Sequence, residues 1–201
     1  MRRFNTFTLV TVAVASLIFA FTVMCGGVAG AVPVQWTVAS GGNGHWYDAV
    51  GNGANGVSGG LLWNAAKADA ETRGGYLATP VSLAEWNFLQ SSYGAIGLTT
   101  NRIGWLGAYQ TDPSGPNTES WTWITGEPWS FTAWSGGEPN GGATENHLST
   151  WFWDGTGWND HRDDTFQYFI EYDTNPIPEP NTAILLGIGL AGMAAARRRV
   201  S

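Results

Sequence analysis

Two short motifs and a lone glutamate are the residues of this chain best suited to binding a cation. The first motif is Glu138-Pro139-Asn140, the glutamate is Glu145, and the second motif is Trp158-Asn159-Asp160. They offer carboxylate and amide oxygens, the ligand types that calcium takes in shells of about six to eight. The Gly141-Gly142 turn would let Glu138 and Glu145 face one ion. A cis bond before Pro139 would point both flanking side chains to one side.

The same residues also suit an ordinary surface loop, because acidic residues with Gly and Asn are common in turns and no EF-hand pattern is present. A glycosidase is a further alternative, since it needs two carboxylates across a cleft. One calcium ion would account for these carboxylates together and hold them ionised. No Ser, Cys or metal-spaced partner accompanies His45, His147 or His161. We therefore expect no enzyme, with His147 structural and His161 in a solvated acidic loop beside Asp163 and Asp164.

The charge of the chain argues against nucleic acid as a partner. The formal net charge is −7, and between Val32 and Asn175 only 4 basic residues accompany 15 acidic ones. A nucleic-acid-binding protein needs a basic surface, which this composition does not supply. The 12 Trp, 9 Phe and 6 Tyr provide ample apolar area for a folded core. Cys25 is the only cysteine and precedes this region, so no disulfide is expected within it.

The N-terminal residues 1–31 are typical of a secretory signal peptide. Arg2-Arg3 precedes an apolar run from Phe7 to Met24, and Ala29-Gly30-Ala31 matches a cleavage site. We expect cleavage after Ala31. A retained membrane anchor is the alternative, because the apolar run is nearly long enough to span a bilayer.

The C-terminal residues 175–201 contain a second targeting pattern. An extended linker that ends in Pro178-Glu179-Pro180 is followed by the apolar segment Thr182 to Ala196 and by Arg197-Arg198-Arg199. A helix of that length covers roughly 22 Å, less than the ~30 Å hydrocarbon core. This arrangement closely resembles the PEP-CTERM sorting signal of Gram-negative bacteria. The resemblance implies recognition by an exosortase in envelopes that make exopolysaccharide, transient contact of the tail with the inner membrane, and its removal. A retained anchor is again the alternative.

The segment between these signals, residues 32–174, is predicted to be one secreted α+β domain with long irregular loops. Its spacing predicts helices over Leu61 to Arg73 and over Ser82 to Gln90, where Ser82 and Glu85 form a capping box. Short antiparallel strands are predicted over the β-rich runs Val34–Val38, His45–Val50, Tyr76–Thr79, Ile103–Ala108, Trp121–Ile124, His147–Trp153 and Gln167–Tyr172.

Six ordered landmarks give this domain a family resemblance. They are Trp63 to Leu89, Trp105-Leu106-Gly107-Ala108, Trp121-x-Trp123, Glu138-Pro139-Asn140, Trp158-Asn159-Asp160 and the closing Phe169-Ile170-Glu171-Tyr172. In this order and near-typical spacing the chain resembles the C-type lectin domain from Gly44 to Tyr172. The resemblance assigns core packing to most of the tryptophans, among them Trp105, Trp121, Trp123 and Trp134.

The resemblance implies a single site that binds calcium and sugar together. Its ligands to both would be Glu138, Asn140, Glu145, Asn159 and Asp160, and the Glu-Pro-Asn form implies mannose-, glucose- or GlcNAc-type sugars. The partner would be an exopolysaccharide or a glycoconjugate. The alternative is an extracellular matrix or protein-binding module that keeps the fold without recognising sugar.

The chain also departs from the family pattern. Ala70, His147 and Ile170 stand where half-cystines are expected, and Gly141 stands where a ligand of a second calcium often occurs. Asp112, Glu119 and Asn146 could contribute to another ion, but we do not assign one to them.

Overall fold

The computed structural model describes residues 32–51, 59–92, 103–151 and 157–177. The predicted signal peptide, the apolar tail helix and the arginine cluster lie outside these residues. In the part that is described, no helix is both long enough and apolar enough to cross a membrane.

Two helices and eight strands form the described fold. The helices are α1, Trp63–Thr72, and α2, Leu83–Ser92. The strands are β1 (Val34–Gln35), β2 (Trp46–Val50), β3 (Tyr76–Leu77), β4 (Gly104–Gln110), β5 (Trp121–Trp123), β6 (His147–Trp151), β7 (Gly157–His161) and β8 (Gln167–Tyr172). The fold is α+β, as predicted from the sequence.

Both helices lie where the sequence predicts them, with the predicted cap at the start of α2 and the predicted buried face on α1. The backbone N–H of Glu85 donates to Ser82 Oγ at 3.2 Å, and Glu85 Oε2 accepts from the N–H of Val81 at 3.1 Å. Ser82 therefore caps α2 as the capping-box pattern indicates. Helix α1 buries Trp63, Ala66 and Ala70 along one face.

The strand predictions fail in two places. The predicted first strand stops after Gln35, because Thr37 caps a 3-10 turn over Val38–Ser40 and Gly41 closes it with a φ of 86°. Strand β7 was not predicted at all, although it contains Trp158-Asn159-Asp160. The predicted strand from His147 is described as far as Trp151.

The strands form one mixed sheet in the order β1-β2-β8-β4-β6-β7, with β3 paired to β8 and β5 paired to β4. The prediction of antiparallel strands is correct for all of these pairs except one. Strands β4 and β8 run parallel, with Gly104 opposite Gln167 and Trp105 opposite Tyr168. Strand β8, which is the last in sequence, therefore lies inside the sheet and contacts β2, β3 and β4.

Aromatic side chains fill two clusters on the sheet. Trp86, Trp123 and Trp158 pack edge to face in the first, with ring centroids 5.6–5.8 Å apart. Trp63, Trp105 and Tyr168 belong to the second. The predicted packing role of the tryptophans is thus confirmed for Trp105, Trp121 and Trp123, which are all buried. Trp134 is partly buried against the first cluster.

The positions where the family would carry cysteines are occupied by tightly packed side chains. Ala70 and Ile170 are both fully buried in the second cluster. The ring of His147 stacks on Trp63 with centroids 4.5 Å apart, in agreement with the structural role predicted for it. Apolar contact thus replaces covalent cross-linking at these places.

A network of two buried carboxyl groups joins α2 to the sheet. The hydroxyl of Tyr47 lies 2.6 Å from Glu85 Oε1 and 3.3 Å from Glu171 Oε1. Glu171 Oε1 also lies 2.6 Å from His45 Nδ1, and Glu171 Oε2 accepts from the N–H of Thr79 at 3.0 Å. A cavity of about 330 Å³ opens beside these groups. We call His45, Tyr47, Glu85 and Glu171 the carboxylate network.

The carboxylate network shifts the pKa of two of its members upward. Burial, reinforced by the charge of Glu171, raises the pKa of Glu85 to about 7. The hydrogen bond to Glu171 raises the pKa of His45 against the opposing effect of its own burial. Both groups therefore hold a proton more tightly in the folded protein than in the unfolded chain.

We expect Glu85→Gln to flatten the pH dependence of stability. Because the pKa of Glu85 rises from 4.5 to about 7 on folding, the free energy of unfolding of the wild type falls as pH rises through this range. The stabilisation from protonated His45 is lost in the same direction, as pH rises through its raised pKa. Glutamine mimics the neutral carboxyl group at every pH and removes the contribution of Glu85.

Urea unfolding at about pH 5, 6, 7 and 8 in EGTA measures this effect. Glu71→Gln, at an exposed helix position, is the control and should retain the wild-type slope. Equal slopes for the wild type and Glu85→Gln would show that Glu85 is not buried in the way described.

Candidate metal centre

The loop that contains Glu138 is attached to β7 along its first residues. Residue Trp134 forms a parallel bridge with Trp158. The N–H of Trp158 donates to the carbonyl of Ala133 at 2.7 Å, and the N–H of Ser135 donates to the carbonyl of Trp158 at 2.9 Å. A Cβ atom at Gly157 would lie 2.3 Å from Ser135 Oγ, so glycine is needed for this approach. The two predicted motifs are thus brought together by backbone pairing.

Asp160 fixes the middle of the same loop. Its Oδ1 accepts from the N–H of Asn140 at 2.9 Å, and its Oδ2 accepts from the N–H of Gly141 at 2.8 Å. The side chain is fully buried, where hydrogen bonds to an ionised acceptor are at their strongest. The family resemblance predicts Asp160 as a calcium ligand, and nothing in the sequence indicated this role in positioning the backbone.

Glu145 is folded back over Gly141. A 3-10 turn over Gly142–Thr144 reverses the chain, and the Thr144 hydroxyl donates to the carbonyl of Gly141 at 2.8 Å. A Cβ atom at Gly141 would lie only 2.1–2.2 Å from Cβ, Cγ and Oε2 of Glu145. The carboxylate of Glu145 therefore occupies the space that any side chain at position 141 would need.

Glu138 has the most perturbed environment of the predicted ligands. The Glu138–Pro139 peptide bond is cis, and Glu138 Oε2 is buried without a hydrogen-bond partner among the described residues. Burial raises the pKa of Glu138 to about 7, with further increases from the charge and hydrogen bond of Asp160 and from the charge of Glu145, while a hydrogen bond with Asn140 opposes them. Glu138, Asn140, Glu145 and Asp160 thus lie together.

Asn159 is placed differently from the other four predicted ligands. It precedes Asp160 on β7, is 5% exposed and lies opposite Ser149 on β6. Successive side chains of a strand point to opposite faces, so Asn159 and Asp160 diverge. Among the described residues, no hydrogen bond joins the amide of Asn159 to the 138–145 loop.

The chemistry of this cluster fits a hard cation. All of its side-chain donors are oxygens, three are carboxylates, and no salt bridge to them is present among the described residues. An unpaired buried carboxylate oxygen such as Glu138 Oε2 is costly unless a cation or donor meets it. Within the described ranges, no three or more His, Cys, Asp or Glu side chains are arranged to hold a metal by themselves. Glu138, Glu145 and Asp160 thus do not form a metal-holding group by themselves as they are placed, and a calcium site here would also have to draw on amide oxygens.

The environment of His161 differs from the solvated loop predicted for it. Its ring packs against Phe166 and Trp105, with centroids 4.7 and 5.9 Å away. Asp163 lies instead beside His147, with its Oδ1 3.1 Å from His147 Nδ1, and is the more exposed of these two side chains. Burial lowers the pKa of His147, and the charge of Asp163 opposes that shift. These contacts are structural.

Sequence comparison places the domain and the tail in two known groups. The Lectin C-type domain family matches residues 60–170, and the PEP-CTERM protein-sorting motif matches residues 176–199. The second match implies a secreted protein that is sorted at the cell envelope.

Two relatives illustrate the first match. Halomucin of Haloquadratum walsbyi is 30% identical over 149 residues, which are 65% of this chain and 1% of halomucin. C-type lectin domain family 4 member M of Gorilla gorilla gorilla is 33% identical over 110 residues, which are 53% of this chain and 26% of that protein. The chain therefore spans a minor part of both relatives.

Solved structures share the fold at lower identity. The C-type lectin domain of murine dendritic cell inhibitory receptor 2, in complex with N-glycan, superposes with a TM-score of 0.52 and 24% identity over 65% of this chain and 91% of that one. A calcium-independent type II antifreeze protein superposes with a TM-score of 0.50 and 18% identity over 63% of this chain and 85% of that one.

We expect Gly141→Ala to disrupt the cluster, because the added methyl group would displace Glu145 from its position against the backbone. Isothermal titration with calcium should show an affinity at least about tenfold weaker than that of the wild type, equivalent to ~1.4 kcal/mol. Gly136→Ala is the matched control, since a Cβ atom there has no neighbour within 4 Å. Equal affinity in the two variants would contradict the placement of Glu145.

Proposed function

The chain belongs to the C-type lectin domain family, and from this premise we propose that it is a secreted protein that binds carbohydrate through calcium. The observation that carries the proposal is the cluster of Glu138, Asn140, Glu145 and Asp160, in which a buried carboxylate oxygen of Glu138 has no partner among the described residues. The membership makes a binding role more reasonable than catalysis, since these domains are generally not enzymes.

The family resemblance implies five calcium ligands, Glu138, Asn140, Glu145, Asn159 and Asp160, and we assign the ion to the four that lie together, all but Asn159. When bound, the ion supplies open coordination positions for two neighbouring hydroxyl groups of a sugar. The carboxylates of Glu138 and Glu145 accept hydrogen bonds from those hydroxyls, and the amide of Asn140 donates to one of them. Charge-assisted bonds of this kind are stronger than neutral ones.

Its burial gives Asp160 a different role from the other residues of this set. Asp160 is fully buried, and its two carboxylate oxygens accept from the backbone N–H groups of Asn140 and Gly141. It therefore orients the loop and does not touch the sugar. Asn140, which is exposed, is better placed to meet a hydroxyl. The proposed sugar contacts therefore concentrate on Glu138, Asn140 and Glu145, because Asn159 is also buried and the side chains of successive strand residues point to opposite faces.

The Glu-Pro-Asn order supports mannose-, glucose- or GlcNAc-type sugars, within an exopolysaccharide or a glycoconjugate of the cell envelope. A second candidate is a matrix or protein-binding module without sugar recognition. The observation in its favour is that a calcium-independent antifreeze protein has the same fold. The intact set of oxygen donors supports the first candidate.

A glycan array with calcium and with EGTA tests the proposal. The wild type should bind mannose- or glucose-type glycans with calcium and lose that binding in EGTA. Binding of protein ligands alone, unaffected by EGTA, would favour the matrix module instead.

The double variant Glu138→Gln, Asn140→Asp tests which residues set the sugar preference. It exchanges the hydrogen-bond acceptor and donor while it keeps the oxygen ligands, the net charge of the pair and the backbone N–H groups that Asp160 holds. Calcium binding should survive, and mannose binding should weaken more than about tenfold because unpaired polar groups cost ~1–3 kcal/mol. An unchanged glycan profile would move the sugar site elsewhere.

We propose that residues 176–199 are a processing signal which an exosortase removes after export, with transient inner-membrane contact. Protein isolated from the native host should then end near Pro178 to Pro180, without the segment Thr182 to Arg199. Intact mass spectrometry measures this directly. A full-length C-terminus would instead establish a retained anchor.

A further inference from the structure

A second loop packs against the proposed calcium site, and buried side chains hold its backbone. This loop, residues 111–120, connects β4 to β5 and is mostly exposed. Nε2 of Gln110, the last residue of β4, donates to the carbonyls of Pro116 and Glu119, both at 3.0 Å. Nε1 of Trp121 donates to the carbonyl of Asn117 at 2.7 Å. Two side chains that are at most 5% exposed thus fix three carbonyls of an outer loop.

Burying the polar atoms of Gln110 and Trp121 to hold a surface loop costs desolvation free energy. The arrangement brings a benefit only where the loop must be held in one position. A surface loop can satisfy its carbonyls with water, whereas a buried amide group needs protein partners. Nε2 of Gln110 has them in this loop, and its Oε1 has none among the described residues. The hydrogen bonds of Gln110 and Trp121 limit the conformations of residues 116–119 in advance. The backbone N–H of Gln110 also donates at 2.9 Å to the carbonyl of Asn146, the neighbour of Glu145.

Asn117 is the residue through which this loop reaches the site. Its Nδ2 donates to the carbonyl of Pro139 at 3.5 Å, and its Oδ1 lies 3.8 Å from the position that a Cβ atom of Gly142 would occupy. Pro139 and Gly142 flank the two residues whose N–H groups Asp160 holds. The segment 139–142 is therefore held by Asp160 in its middle and by Asn117 at Pro139.

We propose that Asn117 is a positioning residue of the calcium site, and that Gln110 and Trp121 hold it there. This inference rests on the proposed function. The segment 139–142 contains two glycines and would otherwise lose much conformational entropy on ordering around an ion. A loop that is already positioned avoids that cost and binds more tightly. Asn117 therefore increases calcium affinity without being a ligand itself.

Calcium titration calorimetry on the wild type, Asn117→Ala and Gln110→Met tests this inference, with Asn64→Ala at an exposed position of α1 as the control. Asn117→Ala should weaken calcium binding about two- to threefold, the low end of what one neutral hydrogen bond supports, because the bond to Pro139 is long. Gln110→Met keeps the side-chain length but removes both donated bonds, and should weaken binding at least as much. Asn64→Ala should match the wild type.

Two further readouts separate positioning from a general loss of stability. Melting temperatures in EGTA should change little for Asn117→Ala, while the increase that calcium produces should shrink. Amide hydrogen exchange of the segment 139–142 in EGTA should be faster in Asn117→Ala than in Asn64→Ala. If Gln110→Met fails to fold, Asn117→Ala alone decides.

Calcium binding by the wild type with unchanged affinity in Asn117→Ala would overturn this inference and leave the proposed function intact. A loss of affinity matched by an equal loss of stability in EGTA would also overturn it. An absence of calcium binding in the wild type would overturn the proposed function and this inference together.

Discussion

The candidate site depends on two hydrogen bonds that the carboxylate of Asp160 accepts from the backbone N–H groups of Asn140 and Gly141. They join the loop of the first motif to the strand of the second, so that residues far apart in sequence share one place. The backbone pairing of Ala133 and Ser135 with Trp158 sets the register of that contact. Without Asp160, the glycines that follow Asn140 would leave Glu138 and Glu145 without a fixed relation.

The carboxylate network and the candidate metal centre differ in how their carboxylate oxygens are satisfied. In the carboxylate network, Tyr47, His45 and the N–H of Thr79 supply partners for Glu85 and Glu171. In the candidate metal centre, Glu138 keeps a buried oxygen without a partner among the described residues. Glu85 and Glu138 both have a pKa raised to about 7. They differ in that Glu138 has a buried carboxylate oxygen without a partner among the described residues.

Local signals in the sequence predicted much of the fold. The capping box at Ser82 located α2, and Gly74-Gly75 bounded α1, because short-range hydrogen bonds and glycine act within a few residues. Strand β7 was missed because Asn159 and Asp160 are typical of loops, and only pairing with β6 makes that segment a strand. The parallel pairing of β4 with β8 is equally non-local. Glu171, an acid within an apolar strand, was a visible signal of the carboxylate network that sequence reasoning did not use.

The central place of β8 also sets the order in which the sheet can be completed. Because β8 lies between β2 and β4 and pairs with β3, three earlier strands remain without their partner until the last residues of the domain are available. Only a few residues separate Tyr172 from the sorting motif that begins at residue 176. The sheet is therefore completed only by the residues next to the sorting motif, through non-local pairings of the kind that form slowly in folding.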